Sequence, residues 1–493
     1  MKATIIILVV FISVQSSAQD THYWTYRFGT RAVLMGGPAV GGIEDNSSVI
    51  YNPALLSLVK STSISLNANV YQVTKITAKD GAGQGQDVTS NQFSAVPVTV
   101  SGLIKRKQDR WKLGYAIVVP NEFTFKATAR DVGTIDIVGN TESPGAEDYV
   151  GQFTINSRLS ENLGAFAVAF KVNNHWSIGL TNQVIYRSHT YTKLEMSRVI
   201  LNNAASTLVS TSETQNIEYT NLRYVAKIGI AFSSGKWSAG ATVNLPSLNL
   251  TGSGTIARDI NANNLQTNIE KNPKKPPVYV RADYAVNDRQ TNLTTQYNSP
   301  LSLAGGLAYK GERTLLAVSA EWFSSVSLYN IMTPIGDPFT RPANLLQSEN
   351  NFLTVNASNK SVFNVSLGLE QMVSERLSLS AGFRTNNSFY DNVYDQRIDD
   401  RNKRNLNSNA LNLDISSWNI YHGVIGGTLK QERRDISIGI NFSWSENASI
   451  KQFANFDKPT EGTFLLGQKL PTHVDYIAYG LILGYTFRVR AAD

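Results

Sequence analysis

The chain of 493 residues carries only 17% charged side chains, a formal charge of +7, no cysteine, and 35 glycines beside 21 tyrosines and 20 phenylalanines. Ordinary globular proteins hold about 25% charged residues, so much of this surface faces something other than water. Without cysteine there are no disulfide staples, no thiol catalysis and no thiolate metal sites. The basic excess is scattered and lacks an aromatic-interleaved basic motif, which argues against nucleic acid as a partner.

In chain order, Lys2, the apolar run Ile5 to Phe11 and the small residues Ser16-Ser17-Ala18 read as a signal peptide over residues 1–18, with a mature chain starting near Gln19. That run is far shorter than the ~20 residues of a spanning helix, and the longest later candidate, Tyr476 to Tyr485, is interrupted by Gly and Tyr. A helical membrane domain is therefore not expected. Residues 19–60 are glycine-rich and do not alternate. From residue 61 to 487 one pattern recurs: Ile64, Leu66, Ala68 and Val70 share a face against Ser65, Asn67 and Asn69, and the same holds for Trp111 to Val119, Phe363 to Leu369 and Ile436 to Trp444.

A β-sandwich would bury the apolar face of such strands, whereas an outer-membrane barrel turns it to lipid and keeps the polar face in the lumen. Three wider features favour the barrel. Aromatics gather at segment ends (Trp176, Tyr186, Trp237, Trp322, Tyr390, Trp444, Tyr485), as in interfacial girdles. Tight turns at Lys171–Asn174, Ser233–Gly235, Lys310–Glu312, Val373–Glu375 and Gln431–Arg433 alternate with long polar connections at Thr251–Tyr297, Asn330–Lys360, Asp391–Leu413 and Lys451–His473. The chain closes on YIAYGLILGYTF, like the last strand of such barrels, although the tail 488–493 displaces the terminal aromatic that serves as an assembly signal. The expected fold is all-β: a transmembrane antiparallel barrel of 14 strands over residues 61–487, placed by its barrel assembly machinery among the lipid and lipopolysaccharide of a Gram-negative outer membrane. The strands are expected at 61–76, 94–105, 111–125, 155–172, 176–192, 218–232, 237–251, 298–310, 313–329, 361–371, 376–390, 417–429, 435–450 and 474–487.

The stretch Phe28 to Leu58 explains the non-alternating start. Its Gly29-Thr30-Arg31-Ala32 entry, the pair Gly36-Gly37, the small step Ala39 to Gly42, Asp45, and Asn52-Pro53-Ala54-Leu55 resemble, in order and spacing, the N-terminal hatch of the FadL family of outer-membrane long-chain fatty acid and hydrocarbon transporters. NNHWSIGL, SPLSLAGG and the final YGLILGYTF look more loosely like family strands. The physical reason for a hatch stands beside the resemblance: a barrel of this size has a lumen its own side chains cannot fill. Gly29, Gly36 and Gly37 permit positive φ, and Pro53 sets a turn. The resemblance implies a hatch over 19–60 gated through Gly29, Arg31, Gly36, Gly37, Asp45, Asn52, Pro53 and Ala54. It also implies a sideways exit at a kink in the third strand, where Gly114 and Pro120 are bend candidates; the plain alternative is that Pro120 ends a strand at the rim.

A hydrophobic ligand needs an outer capture surface and, if it carries a carboxylate, a cation. Met196, Val199, Ile200 and Leu208 form a helical stripe suited to a capture groove, or to a short helix packed on its neighbour. Strand parity places Arg187, Arg223, Lys227 and Arg384 on the lumen face, as carboxylate ligands or as partners of lumenal acids such as Glu321 and Glu370. Enzyme signatures are poor: there is no H-E-x-x-H, G-x-S-x-G or P-loop, the GAGQGQ run lacks the following Lys, and the five histidines show no metal spacing. No cofactor or metal is expected. A Ser/His pair involving His422 stays open. Two functions remain: transport of fatty acids or aromatic hydrocarbons, or a FadL-like scaffold or shuttle in protein secretion.

Purified protein in detergent is expected to give a β-type circular dichroism spectrum and to migrate faster unheated than boiled on a denaturing gel, because a closed barrel leaves no strand edge for detergent to open. A helical spectrum, or identical mobilities, would contradict the fold.

Overall fold

The computed structural model describes residues 21–43, 45–59, 63–94, 99–104, 110–268, 276, 278–341, 352–391, 411–445 and 448–488. The expected signal peptide and most of the C-terminal tail lie outside these residues, as does most of the Asp391–Leu413 connection. Fourteen antiparallel strands form the wall: β1 Ser63–Ala78, β2 (Val88–Ser94 and Thr99–Ile104), β3 Trp111–Ile135, β4 Glu147–Lys171, β5 Trp176–Ile200, β6 Leu208–Ser234 and β7 (Trp237–Asn244 and Leu248–Asn268). They continue with β8 (Tyr279–Thr294 and Ser302–Lys310), β9 Thr314–Phe323, β10 Val362–Met372, β11 Leu377–Asn386, β12 Ile420–Lys430, β13 Arg434–Ser445 and β14 Pro471–Arg488. β14 returns to β1, with Ser63 opposite Arg488 and Leu66 opposite Tyr485, which closes the ring. No helix among the described residues is long and apolar enough to cross a membrane.

Burial separates barrel from sandwich. On β1, Ile64 and Leu66 are about 40% exposed while Ser63, Ser65 and Asn67 are buried. On β13, Ile436, Ile438 and Ile440 are exposed while Ser437, Asn441 and Ser443 are buried. The polar face is therefore the inner one. Outward aromatic pairs band the short-turn end, with ring centroids 4.7 Å apart for Trp111–Phe170 and 4.9 Å for both Trp176–Phe232 and Trp237–Tyr309. A second band holds Phe383, Tyr421, Trp444, Phe442 and Tyr479. Along β5, Trp176 and Tyr186 are ten residues apart, the length of one tilted bilayer crossing, about 9–11 residues.

The strands then run well past the bilayer. β5 has 25 residues, roughly 80 Å at strand rise, so more than half of it stands beyond Tyr186. This corrects the sequence reading at three places. The supposed loop Thr251–Tyr297 is mostly the paired hairpin of β7 and β8, in register from Ser253–Thr294 to Asn268–Tyr279. The supposed loop Lys451–His473 is not simply polar: Phe456, Leu465 and Leu466 are buried within the extension, and Tyr149 Oη donates to the Leu465 carbonyl at 3.1 Å. The stripe at Met196–Leu208 is not a helix. Met196, Val199 and Ile200 lie on β5 and Leu208 opens β6, Ile200 facing Leu208 across the hairpin. Val199 points into the apolar core of the extension, whereas Ile200 and Leu208 point out. Ladders with β4 and β6 on either side pair residues 196–200 as strand, which outweighs a helical spacing of apolar residues.

Residues 28–43 and 45–59 lie against the inner wall near the short-turn end, while Thr21–Trp24 reach its opposite end beside Phe323, Asn386 and Phe389. Gly29, Gly36 and Gly37 all have positive φ, and Gly36 ends a one-turn 3-10 helix, Val33–Met35. Asp45 ties this loop together by accepting the Ala32 and Ser47 amides at 3.2 and 2.8 Å. Asn52 joins segment to wall: its Nδ2 donates to the Val40 and Ile230 carbonyls, both at 3.0 Å, and its Oδ1 accepts the Ala54 amide at 3.1 Å. Pro53 starts the 3-10 turn that follows, and the Ala54 carbonyl accepts the Ser177 hydroxyl at 2.9 Å. Arg31 pairs with Glu370 of β10.

The wall receives this segment through glycines that stand opposite one another: Gly179 faces Gly229, Gly240 faces Gly306, and Gly368 faces Gly382. A Cβ on Gly179 would lie 2.6 Å from the Ala54 nitrogen, and one on Gly240 or Gly382 would overlap the backbone of Val40 or Met35. The belt is thus a fitted seat. Gly240→Val and Gly382→Val are expected to keep the heat-dependent gel shift, because wall pairing does not need the segment, while exposing residues 21–59 to protease and raising leakage of small sugars in liposome swelling. A protected segment with no added leakage would show that the belt is not its seat.

Candidate functional site

The interior is divided by the stretch Tyr23–Arg27. A chamber of about 190 Å³ is enclosed between this stretch, Ile50 and Tyr51, and the wall strands β3 to β9. Three of the four sequence candidates for a carboxylate ligand, Arg187, Arg223 and Lys227, line it together, as does Pro120. Arg187 of β5 and Arg223 of β6 share one carboxylate, Glu161 of β4, at 2.8 and 2.7 Å. Arg187 Nε also donates to Tyr219 Oη at 3.0 Å, and Arg223 Nε to Ser299 Oγ at 2.8 Å. Tyr297 lies flat beneath both, 3.8 Å from the Arg187 guanidinium carbon and 5.0 Å from that of Arg223. All of this is buried, yet Arg187 Nη2 and Arg223 Nη1 have no partner.

Unsatisfied guanidinium donors away from water are costly, and a fork of this kind matches a carboxylate. The charges agree. Arg27, Arg187, Arg223 and Lys227 line the chamber against Glu161 and Glu321, four cations against two acids, leaving an excess of two. Lys227 donates to the Ile50 carbonyl, and Glu321 accepts from Trp24 Nε1 at 2.8 Å and Ser302 Oγ at 2.7 Å, so both also hold residues 21–59. The remaining surface mixes apolar and aromatic side chains, Trp24, Phe28, Leu163, Ile185, Val225 and Phe323, with neutral polar ones such as Gln183, Asn244 and Ser319. About 190 Å³ is room for some six waters and falls below the ~300 Å³ of an ordinary ligand pocket. In this state a head group with a few carbons, or one aromatic ring, fits; a whole long chain does not.

The fourth candidate, Arg384, lies elsewhere, giving Nη2 to the Thr25 carbonyl at 3.0 Å in a second, smaller cavity. Glu370 pairs with Arg31 and Lys430, not with the chamber arginines. The acid that matters, Glu161, was missed by sequence reasoning although a signal existed. Glu161 and Arg187 stand thirteen residues either side of Asn174 in the tight turn, so counting outward from the turn makes them cross-strand partners.

Of the two bend candidates, Gly114 sits in an unbroken ladder between Leu103 and Ala167, and a Cβ there would press on Val49 at 2.6 Å, so it makes room for residues 21–59. The irregularity is at Pro120: the β3–β4 register shifts between Val118 and Asn121. On its other edge β3 pairs with β2 only from Leu113 to Ile117, and among the described residues no ladder continues beyond. A seam without ladder pairing thus runs between the described parts of β2 and β3 from Pro120, bridged at Lys126, whose amide donates to Ser90 Oγ at 3.0 Å; residues 95–98 lie outside the described residues. His422 does meet a serine, with Nδ1 2.7 Å from Ser443 Oγ on the next strand. The charged groups around that ring are Arg384, His22 and Arg27, and no carboxylate among them orients it as in a hydrolytic triad. A hollow of about 1060 Å³ on the outer wall is lined by lipid-facing residues such as Leu307, Leu367 and Ile440.

No family model and no curated protein sequence matches the chain. Solved structures do. The chain is similar to a FadL homologue from Pseudomonas aeruginosa at 12% identity, over 96% of this chain and 99% of that one, with a TM-score of 0.55. It is similar to the toluene transporter TodX of P. putida at 12% identity, over 94% and 99%, with a TM-score of 0.54. The toluene transporter TbuX of Ralstonia pickettii gives 10% identity, 94% and 98%, and a TM-score of 0.52. At such identities the likeness is one of fold, and it extends over nearly the whole chain: this is a FadL-like fourteen-stranded barrel.

Proposed function

We propose that the protein is a passive outer-membrane channel for hydrophobic molecules bearing a carboxylate, with long-chain fatty acids as the substrate class. Residues 19–60 act as its hatch. The observation that carries this reading is the buried Arg187–Glu161–Arg223 cluster with its two unpartnered guanidinium donors, in a chamber also lined by Phe28, Leu163, Ile185 and Val225. A neutral hydrocarbon would leave those donors unsatisfied, whereas a carboxylate supplies the missing acceptor. The chamber is too small for a long chain while the hatch is seated, so entry requires the hatch to shift from its glycine belt. The seam beside Pro120 is the exit that such a shift opens toward lipid. Outside, the apolar pair Ile200 and Leu208 on the β5–β6 hairpin serves capture in place of a helical groove.

The choice of variant follows from energetics. Removing Glu161 would leave two guanidiniums facing each other, and breaking a buried pair costs about 3–5 kcal/mol. Arg223→Gln leaves the Arg187–Glu161 pair intact and deletes only the surplus cation. This variant is expected to fold and to weaken oleate binding about tenfold, the loss of one charged hydrogen bond, while oleyl alcohol binds as before. Equal oleate affinity in both proteins would exclude a head-group role for the cluster.

Deleting Asn52-Pro53-Ala54 tests the hatch. The barrel is expected to form, oleate uptake into proteoliposomes to fall, and swelling in small sugars to rise, since the deletion removes the Asn52 bridge to Ile230. Loss of the heat-dependent gel shift would make the segment part of the wall, and no change in either assay would make it idle.

A further inference from the structure

A second cavity of about 60 Å³ lies on the other side of Tyr26 and Arg27, and nothing in the reading so far uses it. It touches both edges of the seam, through Gln92 and Ser94 of β2 and Glu122 and Thr124 of β3, and reaches inward to Arg384, Asn386 and His422. Its buried donors lack acceptors. Arg384 Nε, Asn386 Nδ2, His422 Nε2, and Arg27 Nε and Nη2 are all without partners. Asn386 is fixed in orientation because its Oδ1 accepts the Trp24 amide at 3.0 Å, so the unsatisfied atom is the amide nitrogen. His422 Nδ1 is taken up by the Ser443 hydroxyl, leaving Nε2 to carry the hydrogen when that hydroxyl donates.

Arg384, Asn386 and His422 are each less than 10% exposed. Arg27 and Arg384 oppose one acid, Glu122, which stands on the seam strand, so the cavity carries a surplus of one positive charge. About 60 Å³ is room for two waters, the size of a carboxylate. Arg27 lines both cavities and stacks on Trp24, with its guanidinium carbon 3.6 Å from the ring.

We propose that this cavity is a second anion-binding station, in which Arg27, Arg384, Asn386 and His422 take the carboxylate head group passed on from Arg187 and Arg223 and hold it beside the β2–β3 seam. The inference rests on the transport reading and sharpens it: the substrate is a single-headed anionic amphiphile, and its head is handed from one guanidinium pair to the next while the tail finds lipid through the seam. Arg27 is the partition between the stations. Its guanidinium is stacked on Trp24 and bonded to Tyr51, and its Nε and Nη2 donors remain to spare between the two cavities.

Crystals of the wild-type protein soaked in sodium bromide are expected to show an anomalous peak within hydrogen-bonding distance of Arg384 Nε, absent in Arg384→Gln. In proteoliposomes, Arg384→Gln is expected to bind oleate within twofold of wild type at the first chamber but to release it into lipid about tenfold more slowly, with oleyl alcohol unaffected. Asn386→Leu, which keeps both cations, is expected to slow oleate release in the same direction, and heat-dependent gel mobility checks folding of each variant. No bromide peak overturns the station. A peak with unchanged oleate release means an adventitious ion only and overturns the relay, as does equal slowing of oleate and oleyl alcohol. A peak in a protein that does not bind oleate at all would instead refute the transport reading and leave an anion site behind.

Discussion

In lipid no backbone polar group can go unpaired, and strands can meet that demand only by closing on themselves. Once fourteen of them close, their own side chains no longer reach across the lumen. The rest of this structure follows from that unfilled interior. The wall turns Ile, Leu and aromatic residues outward and leaves Ser, Asn and Gly within, and residues 21–59 occupy the space between. What holds them there is close backbone approach over paired glycines together with many hydrogen bonds to the wall, among them those of Trp24, Arg31, Asn46 and Asn52.

The interior polar groups divide into those that hold the segment and those that wait for something. Glu370, Glu321 and Lys227 are engaged with Arg31, Trp24 and Ile50 of the N-terminal segment. Arg187, Arg223 and Arg384 each retain a buried donor with no acceptor. The unpartnered donors of these arginines line two cavities on either side of Arg27, the chamber among β3 to β9 and the smaller one beside β2 and β3.

Much of this was legible in the sequence because strand period and lipid exposure leave a strong imprint. The alternation at Ser63–Tyr71 and Ile436–Trp444 gave the wall, the even strand number and the inward face of Arg187, Arg223, Lys227 and Arg384. The order of Gly29, Gly36, Gly37, Asp45 and Asn52-Pro53-Ala54 marked out the non-alternating segment that lies against the inner wall, where these residues form its turns and its contacts. Two things were obscured. The extension beyond the bilayer has an apolar inner core, so Phe153, Val199 and Ile260 face inward where the lipid-level rule expects polar residues, and strands there looked like loops or a helix. The glycine belt was invisible because each glycine reads singly as a weak strand residue; its meaning appears only when Gly240 and Gly306, or Gly368 and Gly382, are brought side by side.

The account turns on whether residues 21–59 move. Thr30 and Gly484 bring their β-carbon positions within 3.1 Å, near the about 3.5–4.5 Å of a disulfide, and the chain has no cysteine to interfere. A Thr30→Cys/Gly484→Cys protein, oxidised to tie the segment to β14 and assayed for oleate transfer into liposomes, measures this directly. Transfer abolished on oxidation and restored by reductant is the predicted result. Transfer at the same rate in both redox states would mean that oleate passes without displacing the segment, and the hatch would be no gate.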